Sequence, residues 1–173
     1  MVYFYFSFND REKQSAENCI LSLLSQLGSR TENGRDQLQE LHKRCSNGTA
    51  RPSLPTLLRA LKNLIESYDS TRIVIDALDE CRTRPVLLIF LRNILDWNID
   101  KLHVLATSRN ERDIAEFFDN SLIDKVSIQN KLVDVDIGIH VLDVLEHDER
   151  LKGLPNQTKD KIHSTLLEGA GGM

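Results

Sequence analysis

The chain contains no Gly-Lys pair anywhere in its 173 residues. The phosphate loop G-x-x-x-x-G-K-[ST], whose backbone N–H groups and lysine cradle phosphates, is therefore absent rather than degenerate. Cysteine is scarce: Cys19, Cys45 and Cys81 are odd in number, far apart and in no C-x-x-C pairing. That argues against a disulfide framework and fits reduced, mostly buried thiols of an intracellular protein. Basic clusters and arginine-rich helices are missing too, and the formal net charge is −4. A nucleic-acid grip through overall charge is excluded. No apolar run is long enough to cross a membrane. The opening Met1–Phe8 is apolar but short, and it lacks the basic lead and small-residue cleavage site of a signal peptide. The chain is expected to be cytoplasmic, with neither membrane nor nucleic acid as partner. Internal repeats and low-complexity tracts are also absent.

What is there is ordinary in amount. A hydrophobic content of 40% and a charged content of 28% are those of a soluble globular chain, and 173 residues can enclose a real core. Val2 to Phe8, dense in aromatics, reads as a strand broken by Asn9-Asp10. Ile20, Leu23, Leu24 and Leu27 fall at helical spacing, with Gly28 closing the helix. Leu38, Leu41, His42 and Cys45 repeat the pattern more weakly. A third helix starts at Pro52-Ser53, with a stripe from Leu54 to Tyr68 and Pro55 in its first turn.

Val86 to Leu95 reads as a fourth helix, Leu102–Ala106 as a short apolar strand, and Asp113–Phe118 as a short helix. Lys125–Ile128 suggests a strand, Asp134 to about Leu145 a helix, and Thr158–Leu167 a last helix after the turn at Gly153-Leu154-Pro155. Short apolar strands alternating with helices predict an α/β fold, a parallel sheet with helices on its faces.

One run stands apart: Arg72-Ile73-Val74-Ile75-Asp76-Ala77-Leu78-Asp79-Glu80-Cys81. Its apolar part reads as a strand buried on both faces. It leads into Asp76, Asp79 and Glu80, at the strand end where open α/β sheets bind ligands. Crowded carboxylates repel and are costly to bury unpaired, and a hydrated Mg²⁺ relieves both problems. Equally, Asp79 and Glu80 could simply open a loop or cap a helix.

The succession of strand, long helical insert, I-V-I-D-A-L-D-E-C and L-H-V-L-A-T-S-R resembles the NACHT-type NTPase domain of the STAND class. The nephrocystin 3-like N-terminal domain of fungal intracellular receptors is the nearest form. The opening Tyr3–Asp10, the segment Val133–Ile137 and the closing Ala170-Gly171-Gly172-Met173 are similar as well. The resemblance implies a P-loop NTPase-like parallel sheet over residues 1–130, missing its first, P-loop strand. Residues 131–173 would begin a helical lobe. It implies Asp76 as the Walker B acid holding Mg²⁺ through water, with Asp79 and Glu80 as the catalytic acidic pair that orients or deprotonates the attacking water. Arg109 is implied as the sensor of the nucleotide's terminal phosphate. ATP or ADP with Mg²⁺ would be the ligands, and the intact protein would self-associate through this domain.

In such a family the missing strand lies between the strand leading to Arg109 and the one ending near Ile128. The chain is thus expected to be a fragment lacking Walker A, inactive alone, from a signal-transducing ATPase switch. An alternative is a nucleotide-independent scaffold derived from that domain. A Mg²⁺-dependent nuclease site would need further acids and a basic groove, neither of which is present. Read without the resemblance, Arg109 is a surface arginine paired with Glu111 or Asp113. His42 reads as a residue packed at the core edge, and His103 as a satisfied buried histidine. Cys81 is made a poor nucleophile by the neighbouring acids.

Overall fold

A computed structural model describes residues 1–45, 48–119, 123–127 and 131–169. It falls into two compact units, Met1–Ser121 and Leu122–Met173. The first holds a three-stranded parallel sheet in the order β1 (Val2–Tyr5), β2 (Thr71–Asp76), β3 (Leu102–Ala106). Between β1 and β2 run α1 (Ala16–Gly28), α2 (Glu32–Arg44) and α3 (Leu54–Glu66). α4 (Arg84–Asp96) joins β2 to β3, and α5 (Arg112–Asp119) follows. The chain is α/β, as expected.

The helices begin where local chemistry asks. Ser15 caps α1 by accepting from the Asn18 N–H at 3.3 Å. Thr31 caps α2 through the Gly34 N–H at 3.0 Å. α3 and α4 carry proline in their first turns, where a missing N–H costs nothing. Gly28 and Gly34 pack so closely that a Cβ on Gly34 would stand 2.6 Å from the Gly28 carbonyl oxygen. The α1–α2 corner therefore depends on glycine.

Register fixes what each face carries. Val2 and Phe4 pair with Ile73 and Ile75, which in turn pair with Val104 and Ala106 on the covered face. That face lies on a helical layer in which α1 contacts α2, α3 and α4. Leu23 and Leu24 of α1, Leu61 and Leu64 of α3, and Leu87 and Phe90 of α4 are fully enclosed there. Each such side chain contributes roughly 1.5–3 kcal/mol through removal from water.

The other face is open. Tyr3, Val74 and Leu105 form one row across the three strands, and Tyr3 is 54% and Leu105 61% exposed. The expectation that β2 is buried on both faces therefore fails: Arg72 and Asp76 are exposed and Val74 is half-buried. An apolar run as short as Ile73–Ile75 does not distinguish one covered face from two. His103 shares the open face and is exposed, contrary to its buried reading. His42 is exposed as well, because only Leu38 and Leu41 of α2 reach the core.

The sheet's two edges differ. On β1 the Tyr3 N–H donates to Gln26 Oε1 at 3.1 Å, and Gln26 Nε2 returns a bond to the Tyr3 carbonyl at 2.7 Å. Arg30 Nη2 donates to the Met1 carbonyl at 2.6 Å. β3 has no such cover among the described residues. Its ladder bonds (Thr71 N–H to Lys101 O, Thr107 N–H to Ile75 O) turn the Val104 and Ala106 backbone outward, without partners among the described residues.

The second unit holds α6 (Lys131–His147) and α7 (Asn156–Gly169), which pack on each other. Gly138 of α6 faces His163 and Leu167 of α7. The strand expected over Lys125–Ile128 does not form over Lys125–Ser127, where the backbone is irregular and Val126 is 88% exposed. A stretch that short is stable as a strand only beside a neighbour, and the three-stranded sheet does not extend to it. Ile128 and the segment Ala170–Met173 lie outside the described residues. No helix among the described residues is long and apolar enough to cross a membrane.

Candidate functional site

The carboxyl ends of β2 and β3 meet in one loop cluster. Asp76 is the last residue of β2, and the chain then turns sharply through Ala77 at φ 57°, ψ 53°. Left-handed backbone at a residue with a Cβ costs about 1–2 kcal/mol, so something must hold it. Thr107, one residue past β3, does so. Its Oγ1 accepts from the Ala77 N–H at 3.1 Å, and its carbonyl accepts from the Leu78 N–H at 3.0 Å. The same hydroxyl donates to Asp76 Oδ1. Asp76 Oδ2 has no partner among the described residues, and the residue is exposed.

Asp79 and Glu80 sit in the short 3-10 turn Leu78–Glu80. The Asp79 side chain is 7% exposed. Its Oδ1 accepts from the Arg109 backbone N–H at 3.0 Å and from Ser108 Oγ at 3.4 Å. Its Oδ2 lies 3.8 Å from Arg109 Nε. Glu80 points elsewhere: its Oε2 accepts from the Phe8 N–H, in the loop after β1, at 2.7 Å. That loop is fastened by Gln14, whose Nε2 donates to the Ser7 and Phe8 carbonyls and whose own carbonyl accepts from the Arg82 N–H.

The surface reading of Arg109 fails, because its guanidinium lies near Asp79 and not at the carboxylate of Glu111 or Asp113. Those carboxylates belong to Arg84, at 3.3 and 3.0 Å from its Nη1. Arg84 Nη2 also donates to the Asp79 carbonyl at 2.9 Å. Partial burial pulls the Arg84 guanidinium down, but its bonds to Asp113 and Glu111 outweigh this and hold it above its ordinary value. Cys81, next in sequence, is buried beside Thr83. Burial raises its thiol above the usual range, ahead of the charge of Glu17, so it is a poor nucleophile for a different reason than its sequence neighbours.

All four residues singled out in the sequence, Asp76, Asp79, Glu80 and Arg109, thus come to one edge of the sheet. They are not equivalent. Asp79 and Glu80 each spend a carboxylate oxygen on a backbone N–H group, while Asp76, the exposed one of the three, presents an Oδ2 with no partner among the described residues. Among the described residues no group of three or more His, Cys, Asp or Glu is arranged to hold a metal ion. Mg²⁺ is commonly held by one or two carboxylates with waters and substrate phosphates, and Asp76 fits that mode. Beside it an open groove of about 460 Å³ runs along the exposed face past Tyr3, Tyr5 and Val74.

Two residues of the cluster, Thr107 and Arg84, were given no role from sequence. Thr107 had a signal, as the first polar residue after the Leu102–Ala106 run. Arg84 had none beyond standing before Pro85.

Residues 1–109 match the family model described as Nephrocystin 3, N-terminal. The chain belongs to that family. The match spans β1 through Arg109 and so takes in the cluster's residues up to and including Arg109. No curated protein and no solved structure matches the chain. What a nephrocystin 3 N-terminal chain does with this cluster must come from the cluster itself.

Proposed function

We propose that this chain carries the metal and sensor side of a Mg²⁺–nucleotide site, within a NACHT-type switch of the STAND class. One observation carries the reading. A carboxylate oxygen of Asp76 without a partner among the described residues and the 59%-exposed side chain of Arg109 leave the ends of adjacent parallel strands, joined through Thr107 and Asp79. That is where open α/β sheets take ligands. In this reading Asp76 holds Mg²⁺ through water, and Arg109 reaches the terminal phosphate of ATP and distinguishes it from ADP. The ion, when bound, would neutralise charge on the phosphoryl oxygens.

The remaining acids position rather than react in the conformation described. Asp79 holds the backbone of Arg109, and Glu80 holds the loop after β1. Either acts on an attacking water only after giving up that bond. Because the sequence has no phosphate loop, the chain alone should bind nucleotide weakly. Fungal receptor ancestry, a cytoplasmic setting and self-association through this domain complete the proposal.

The test uses Mn²⁺ as a paramagnetic stand-in for Mg²⁺ on the full chain, with ATP present. Line broadening should centre on residues 76–79 and 107–109 and vanish in Asp76→Asn. Broadening centred elsewhere, or unchanged in that variant, refutes the assignment.

A second reading, a scaffold that no longer uses nucleotide, is favoured by the structural use of Asp79 and Glu80. It predicts that Asp76→Asn leaves assembly of the intact protein unchanged.

A further inference from the structure

We propose that Arg84 is the positioning residue for Arg109, an inference that rests on the sensor reading just given. The geometry is a closed bracket. The N–H of Arg109 is held by the Asp79 carboxylate at 3.0 Å, and its carbonyl accepts from the Glu111 N–H at 2.9 Å. Arg84 grips both holders at once. Its Nη2 takes the Asp79 carbonyl at 2.9 Å and its Nη1 takes the Glu111 carboxylate at 3.3 Å. A third contact, Nη1 to Asp113 Oδ1 at 3.0 Å, fixes the first turn of α5. One guanidinium thus ties the turn after β2 to the loop after β3, on either side of the residue that would meet phosphate.

The chemistry requires arginine. A planar guanidinium presents five N–H donors in a fixed fork, whereas a lysine ammonium carries its three donors on one nitrogen at the end of a flexible stem. The three acceptors come from residues 79, 111 and 113, and a single nitrogen cannot reproduce the two-sided reach of Nη1 and Nη2. Arg84 is also placed to resist solvent, since its side chain is only 28% exposed while Arg109 stands largely in water. A guanidinium left to itself in water samples many rotamers. Pinning the backbone on both sides of Arg109 restricts where its side chain can reach, which lowers the ordering cost of meeting an anion.

Hydrogen exchange of the Arg109 amide in the full chain tests this, with the Ile75 and Leu105 amides as internal references for general loosening. Arg84→Ala should speed Arg109 exchange about tenfold, as loss of one well-made hydrogen bond does, while the references stay within about twofold. Arg84→Lys should recover only part of that protection. Glu111→Gln with Asp113→Asn, which leaves Arg84 in place, should reproduce the loosening and serves if Arg84→Ala does not fold.

Unchanged Arg109 exchange in Arg84→Ala, or full recovery by lysine, overturns the proposal. Separately, millimolar Mg²⁺–ATP added to the wild-type chain should shift the Arg109 side-chain Nε–H resonance. Absence of that shift counts against the sensor reading, while the exchange result still decides the role of Arg84.

Discussion

Thr107→Val is the sharpest perturbation the cluster offers, because it changes almost no volume and removes one hydroxyl. That hydroxyl accepts from the Ala77 N–H at 3.1 Å and donates to Asp76 Oδ1. A typical intramolecular hydrogen bond contributes a net ~1 kcal/mol, and one to a charged group about 1.5–3. Asp76 is exposed and recovers water when the bond is lost, so its share falls to the lower end. Losing both bonds should therefore destabilise the sheet unit by about 2 kcal/mol. Ala77 makes the case sharper, since its left-handed backbone persists only while its surroundings hold it.

Trp97, the single tryptophan, packs against the core of this unit and reports its unfolding by fluorescence. With a urea slope of about 2 kcal/mol per molar, the midpoint should fall by about 1 M. Thr107→Ser keeps the hydroxyl and should stay within about 0.3 M of wild type. A valine variant within about 0.2 M of wild type refutes the account of how the turn is held. So does a serine variant as damaged as the valine one.

The α1 cap should make stability pH-dependent. The Ser15 hydroxyl donates to Glu17 Oε2 at 2.7 Å and, ahead of the opposing effect of burial, holds the Glu17 carboxyl below its ordinary value of 4.5. A depressed carboxyl stabilises the fold above its unfolded value and loses that contribution as pH falls through the folded one. Ser15→Ala should cost about 1 kcal/mol near neutrality, and the gap between urea midpoints should narrow as pH falls below the ordinary glutamate range, leaving the share of the Asn18 cap bond. A gap that stays constant over that range counts against the Glu17 part. Leu105→Lys, on the open face of the edge strand β3, should leave stability within about 0.5 kcal/mol yet suppress concentration-dependent association seen by light scattering. Association equal in both chains would show that another surface drives it.

Helical stripes were the legible part of the fold. Leu57, Leu61, Leu64 and Ile65 of α3, and Ile20, Leu23, Leu24 and Leu27 of α1, are buried as their spacing demands. Periodicity fails where an element sits at the rim. α2 offers the core only Leu38 and Leu41, so His42, one position on, turns outward. β2 fails differently: Ile73 and Ile75 are buried, but Val74 between them faces the open side, and three β-branched residues in a row carry no mark of that. Lys125–Ser127 has strand-like alternation but lies outside the three-stranded sheet, and strand formation is a property of the sheet rather than of the segment.

At the site the acids themselves were legible and their donors were not. Asp79 is answered by a backbone N–H 30 residues away and Glu80 by one 72 residues away. No local pattern names such partners, since every residue but proline carries an N–H. The omission bears directly on the argument for a cation. Three crowded carboxylates, read from sequence, repel one another and seem to need a divalent ion between them. In the fold each has a donor of its own: the Thr107 hydroxyl for Asp76, the Arg109 amide for Asp79 and the Phe8 amide for Glu80. Mutual repulsion is then no longer a reason for a metal. What remains is Asp76 Oδ2, without a partner among the described residues, on a side chain that lines an open groove. The case for Mg²⁺ therefore rests on one carboxylate and an incoming phosphate together, and the ion should bind appreciably only when the nucleotide comes with it.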